Sequence, residues 1–194
     1  MYNVLDVCRY VINYSNDKDY DISNLKLQKL LYFIQAYFLI NKNEACFNET
    51  IEAWDFGPVI PKAYSEYKQY GGGHIPSISS YIEMDSDNIW SVHRVKYNNN
   101  IISNADKKMI NDVINQFAEY TATDLTSLSQ NQAPWNNIYE PYTNNEITKE
   151  SIKEYFKSIL QVLCKYKIVQ KNLFKWTELN SVRFYVIRKI STCQ

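Results

Sequence analysis

The chain has 194 residues, 45% apolar and 22% charged, with 21 basic and 21 acidic side chains and 17 tyrosines. This composition excludes a disordered chain and is long enough for one domain with a buried core. The longest apolar-rich run, residues 30–40, is broken by Gln35 and is shorter than the roughly 20 residues that cross a bilayer. The N-terminus has no basic, apolar leader, so no membrane span is expected and a cytoplasmic location follows.

The spacing of Val4, Leu5, Val7, Cys8, Val11 and Ile12 predicts a first amphipathic helix over residues 3–14. Ser23 is placed to cap a second helix, in which Leu27, Leu30, Leu31, Ile34, Tyr37 and Phe38 share one face and predict a central, core-forming element. Residues 50–54 read as a short extended segment. Gly57 supplies a permissive backbone, and both Pro58 and Pro61 suit the first turn of the next helix. That helix carries Tyr64, Tyr67 and Tyr70 at spacing three and stops at glycines 71–73.

Between residues 74 and 100 only "IWSVHRVKY" suggests a strand. Ser103 and Asp106 form an S-x-x-D capping pattern ahead of a helix whose core face is Ile110, Val113, Ile114 and Phe117. One or two helical turns follow at residues 124–130. Ile147 and Ile152 form a hydrophobic staple around Thr148 and open a last helix to about Leu163. "VRFYVIRKI", residues 182–190, is rich in β-branched and aromatic side chains and reads as a strand, with residues 167–170 as its candidate partner. The expected fold is mainly α, an α-dominated α+β: a compact helical domain over residues 1–163 with a small β element, and a basic C-terminal extension over 164–194.

Charge is unevenly spread. Residues 161–194 carry seven Lys and Arg side chains against Glu178 alone, which leaves the rest of the chain acidic. Such a tail can fold against the acidic body, recruit an acidic partner or touch nucleic acid. Bases interleaved with aromatics at Lys165, Lys167, Lys171, Lys175, Trp176, Arg183, Tyr185 and Arg188 fit a nucleic-acid surface, although the acidic body argues against it. Catalytic patterns are absent from the sequence: His74 and His93 belong to no H-E-x-x-H or nucleophile-base motif, and no phosphate-binding glycine loop is present. "SNLK" at residues 23–26 matches S-x-x-K without its companion motifs. Asp85 with Asp87, and Glu52 with Asp55, read as surface acids, and "GGGH" at 71–74 as a helix stop. Cys8, Cys46, Cys164 and Cys193 are far apart without a CxxC pair, which suits reduced thiols. No catalytic residue, metal or cofactor is expected.

"ISNLKLQKLLYF" (residues 22–33) and "IEAWDFGPVIPKAYSEYKQYG" (51–71) resemble, in order and spacing, the SocA-like antitoxin family, or Panacea domain. "LTSLSQNQAPWNNIYE" (125–140) and "ITKESIKEYF" (147–156) are similar to its later blocks, with Gln130 where the family often has His. The resemblance spans about residues 3–160 and leaves the tail outside. It implies a mainly helical domain of bacterial and prophage toxin-antitoxin pairs that neutralises a protein toxin by binding it, without enzymatic activity. The alternatives are a proteolytic adaptor that delivers the toxin to a protease, and a nucleic-acid-binding regulator.

Among the signature positions, Leu27, Leu30, Leu31, Tyr32, Ala53 and Trp54 are expected in the core. Trp54, Gly57, Pro58 and Tyr64 are expected to set the angle between the central helix and the next, with Pro134 and Trp135 locking a loop against that corner. Gln28 and Lys29 fall off the apolar stripe and are expected at its edge, either solvated or touching a partner. The partner surface is expected on the exposed Tyr-rich faces and on the tail at Lys171, Lys175, Trp176, Arg183, Tyr185 and Arg188, unless Phe184 and Tyr185 complete a packed strand. Since a basic tail poorly mimics phosphate, occlusion of the toxin is the expected mode.

Overall fold

A computed structural model describes residues 1–84 and 92–170. Among them are seven α-helices and two separate two-stranded antiparallel sheets, an α-dominated α+β fold. Helix α1 (Val4–Asp17) starts at Asn3, whose side chain accepts from Leu5 N–H. It runs one turn beyond its expected end, and Asp19 at φ 55° then turns the chain. Helix α2 (Asn24–Asn41) starts at Ser23, whose side chain accepts from Lys26 N–H. Strands β1 (Glu52–Trp54) and β2 (Gly57–Val59) form a tight hairpin, and α3 (Pro61–Tyr67) follows with Pro61 in its first turn. A 3-10 turn carries it to Tyr70, where Gly71 at φ 53° stops it.

A second hairpin, β3 (Ser80–Met84) and β4 (Val92–Lys96), comes next. The sequence predicted only its second strand, because β3 combines polar residues with no alternation strong enough to stand out. Helices α4 (Asn104–Gln116), α5 (Ala122–Gln130), α6 (Ala133–Asn136) and α7 (Lys149–Gln170) complete the order. Thr148 Oγ1 accepts from Ser151 N–H at the start of α7, with Ile147 and Ile152 buried on either side. One expected strand changes here and the other is not described. Residues 167–170 continue α7 instead of forming a strand, and residues 182–190 lie outside the described part of the chain.

Helix α2 is the hub, packing against α1, α3, α4, α5, α7 and β2. The expected single apolar face is too narrow: residues 26–36 of α2 are all buried, including Lys26, Gln28, Lys29 and Gln35. Neighbours therefore cover it on every side. The apolar part of this contact joins Phe33 to Phe117 of the α4 end at 4.6 Å between ring centroids and to Phe156 of α7 edge-on at 6.5 Å. Cys8 and Cys46 are buried free thiols, with burial pushing both pKa values up, so they pack as apolar groups.

The S-x-x-D pattern before α4 works differently from a full capping box. Ser103 Oγ accepts from Asp106 N–H at 3.2 Å, but the Asp106 carboxylate turns away to accept from Tyr2 Oη at 2.6 Å and Lys42 Nζ at 2.9 Å. Tyr2 Oη in turn accepts from Ser103 N–H. The reciprocal box is found instead at Thr121 and Asp124, which start α5. Asp106 thus ties the N-terminus, the end of α2 and the start of α4 together. Burial pushes its pKa up, yet the bonds from Tyr2, Lys42 and Ser103 more than offset this and hold it below the ordinary aspartate value. A lowered carboxylate pKa adds stability that is present above the unfolded-state value and lost as pH falls through the folded one. Asp106→Asn is expected to cost about 1–3 kcal/mol at neutral pH. In denaturant titrations its difference from the parent should begin to narrow below about pH 4 and close as pH falls through the folded-state value.

Candidate functional site

The site grows from the β1–β2 hairpin. Asp55 and Phe56 form its two-residue loop, and only Gly57, at φ 90°, needs the left-handed region there. Pro58, expected in the first turn of a helix, sits instead in β2 opposite Ala53. The register explains why proline fits. Trp54 and Gly57 flank the loop, so Ala53 and Pro58 are the next pair, whose backbone groups point outward instead of towards each other. Ala53 N–H donates outward to Asn145 O at 2.8 Å, and Pro58 O accepts from Lys29 Nζ at 2.8 Å. A proline at this position forfeits no ladder bond.

Side chains from three helices hold this short hairpin. From α2, Lys29 bonds Pro58, and Gln28 Oε1 accepts from Ile60 N–H at 2.9 Å while its Nε2 donates to Asn24 Oδ1. From α5, Gln130 Nε2 donates to Asp55 O at 2.8 Å. From α6, the Trp135 indole donates to Trp54 O at 3.1 Å, and just beyond it Tyr139 Oη donates to Asp55 Oδ1 at 2.9 Å. Trp135 and Tyr139 stack with centroids 4.3 Å apart. Every carbonyl from Trp54 to Asp55, and that of Pro58, has a side-chain donor.

Above the hairpin lies an apolar groove of about 530 Å³. Its walls include Trp54, Phe56, Val59, Tyr64 and Tyr142, and Asn24 and Gln28 meet it from α2. Trp54 and Tyr64 rings meet edge-on at 5.0 Å, and Glu52 Oε2 accepts from the Trp54 indole at 2.7 Å. Three aromatics around the groove face solvent: Phe56 is 67% exposed, Tyr64 38% and Tyr142 97%. Asp55 and Lys68 also line it. Rigid aromatic rings around a recess, with few polar groups, suit the reception of another protein's apolar side chain.

Of the residues singled out by sequence, Leu27, Leu30, Leu31, Tyr32 and Ala53 are buried in the core, and Trp54 is half-buried at the groove. Gln28 and Lys29 are not at a solvated edge: they are 1% and 0% exposed and hold the hairpin from beneath. Burial pulls the Lys29 pKa down to about 7. Lys171, Lys175, Trp176, Arg183, Tyr185 and Arg188 lie outside the described residues. Phe56 and Tyr142 were missed. Their only signal is aromatic residues within turn-like sequence, which does not separate a surface ring from a core one.

The fold and the groove define a mainly helical domain that presents an apolar recess at a hairpin corner. The chain belongs to the SocA-like antitoxin family: the family model described as "Antitoxin SocA-like, Panacea domain" matches residues 27–136. Those residues include both strands of the hairpin, most of α2 and the α5–α6 pair. The chain is also 45% identical over 71 residues to Antitoxin SocA of Caulobacter vibrioides (strain NA1000 / CB15N), an alignment covering 34% of this chain and 38% of that relative. The chain therefore spans well under half the length of that relative. No solved structure matches it.

Gly57 is the most constrained position of the corner. A Cβ there would stand 2.9 Å from both Lys29 Nζ and Ser129 Oγ, at a backbone angle that side chains rarely adopt. Gly57→Ala is expected to cost about 2–4 kcal/mol, from strain and overpacking together. Gly71→Ala, with positive φ but nothing within 4 Å, is expected to cost only about 1 kcal/mol. Paired denaturant titrations of the two variants check the contrast.

Proposed function

We propose that this protein is an antitoxin that neutralises a cognate protein toxin in the cytoplasm by binding it directly, with the hairpin groove as the docking surface. The observation that carries the reading is Phe56. It is exposed at the tip of a hairpin whose backbone is tied down by Lys29, Gln28, Gln130 and Trp135. These bonds satisfy buried polar groups, and they also fix a loop that presents an apolar ring to water. They lower the ordering cost of association, which is what a preorganised binding surface needs. The groove lies largely within the family-matched residues, which supports a role shared with other SocA-like antitoxins.

In this reading Phe56, Tyr64 and Tyr142 surround an apolar side chain of the toxin, and the bound domain blocks the toxin by occlusion. The basic segment beyond Gln170, with Lys171, Lys175, Trp176, Arg183, Tyr185 and Arg188, supplies a second, electrostatic contact to an acidic toxin surface. Charges of that kind chiefly speed encounter.

Co-expression with the toxic product of the adjacent gene tests the proposal. The parent chain should restore growth and co-purify with the toxin. Phe56→Ala should weaken binding by about 2 kcal/mol, or roughly thirtyfold, and leave the melting temperature unchanged because the ring packs mainly against water. Reversing the tail charges should slow association, most visibly at low salt. If the toxin disappears only in cells that contain a particular protease, the mechanism is delivery for degradation and not occlusion. If the parent chain gives no relief, the antitoxin reading fails.

A further inference from the structure

Lys29 is an unusual residue to find at the centre of a helical domain. Its side chain is fully buried, and the bond it makes is to Pro58 O at 2.8 Å. An ammonium has three N–H groups and no acceptor of its own, so one carbonyl leaves it short of partners. The groups packed against it do not make up the deficit. From β2 it meets Pro58 O and the Cα side of Gly57, and from α5 it meets the region of Ser129 Oγ, which itself donates to Thr126 O.

Charged residues on the surrounding elements are directed elsewhere. Asp55 accepts from Tyr139, Glu52 from Trp54, and Lys26 on α2 donates to Ala118 O. Burial is the one influence that shifts Lys29, and it favours the neutral amine. A neutral amine can keep its bond to Pro58 O at small cost. An ammonium in the same place carries an uncompensated buried charge.

The cover over Lys29 is a short hairpin. Strands β1 and β2 have three residues each, β2 rests on α2 and α5, and Gly57 fits so closely over the amine that a methyl group would collide with it. Lifting this cover would bring water to the amine. We propose that Lys29 is a proton-sensitive latch: the neutral amine holds the β1–β2 hairpin closed, and protonation favours a state in which the hairpin lifts and the ammonium is hydrated.

The direction follows from linkage. A lysine that binds its proton more weakly in the closed state than in the open one makes opening easier as pH falls from the ordinary lysine value towards the closed-state value. Below the closed-state value both states are protonated and the effect levels off. The consequence for the groove rests on the antitoxin reading given above. Trp54 and Phe56 belong to the lifting segment, so toxin affinity should decline with acidification and toxin binding should expel the Lys29 proton. The latch itself needs no toxin.

The test uses the full chain without a partner, in a His74→Gln, His93→Gln background so that imidazole titration is absent. The Lys29 side-chain Cε resonance is followed with pH, together with amide hydrogen exchange at Gly57, Val59 and Ile60, each corrected for its intrinsic rate. A Lys29 midpoint of about 7, with hairpin protection falling about tenfold from pH 8 to pH 6, supports the latch. Lys29→Met should abolish the pH dependence of those amides. A Lys29 midpoint near the ordinary lysine value of about 10.4 overturns the proposal. So does hairpin protection that stays level through the Lys29 titration, or that keeps its pH dependence in Lys29→Met. If that variant fails to fold, the Lys29 resonance and hairpin protection of the unsubstituted residue decide alone. Since no toxin is present, the outcome is separate from the success or failure of growth rescue.

Discussion

A helix covered on every side must satisfy each polar group it carries from within the protein, and this constraint organises the whole domain around α2. Its backbone is self-sufficient between the ends, but Asn24, Lys26, Gln28, Lys29, Tyr32 and Gln35 bring donors and acceptors into the interior. Leaving such a group unpaired costs more than making its bond returns. Each has a partner in a different part of the chain. Asn24 donates to Tyr64 O, Lys26 to Ala118 O, Tyr32 to Gln132 Oε1 and Lys29 to Pro58 O. Gln35 accepts from Cys46 N–H and donates to Phe47 O. The helix thereby positions loops as well as helices.

The hairpin corner is the part most dependent on that arrangement. With only three residues in each strand, β1 and β2 have too little ladder to stand alone. Their geometry is supplied from outside, by α2 beneath, Gln130 and Trp135 beside, and the chain at residues 145–147 along the outer edge of β1. The same bonds make the corner specific. Gln130 needs only to donate to Asp55 O, a task its side-chain amide performs.

A surface built this way is held where it meets a partner by several side chains, of which one is a buried amine. Asp106 shows the opposite arrangement at the other end of α2. There a buried carboxylate has Lys42 and Tyr2 as partners, and its charge is compensated. Lys29 has a single carbonyl, so charge and closure compete. One end of the helix is locked by an ion pair, and the other is held by a bond that tolerates only one protonation state well.

Much of the helical framework was legible in the residues, because capping and periodicity are local properties. Ser23, Ser103 and Thr148 marked helix starts, Pro61 and Gly71 bounded α3, and Ile110, Val113, Ile114 and Phe117 faced inward. The family was legible too, since its blocks follow one another in order. The hairpin register was not: whether Pro58 opens a helix or pairs with Ala53 depends on where its carbonyl finds a donor, and that donor is 29 residues away in the chain. Nor could sequence tell that Lys29 is interior while Phe56 is exposed, the reverse of what polarity suggests. Local chemistry determined where helices begin and end and which stripe is most apolar. The tertiary structure alone decided which polar groups would find partners in the interior, because hydrogen-bond satisfaction is set by what packing brings together and not by neighbours in the chain.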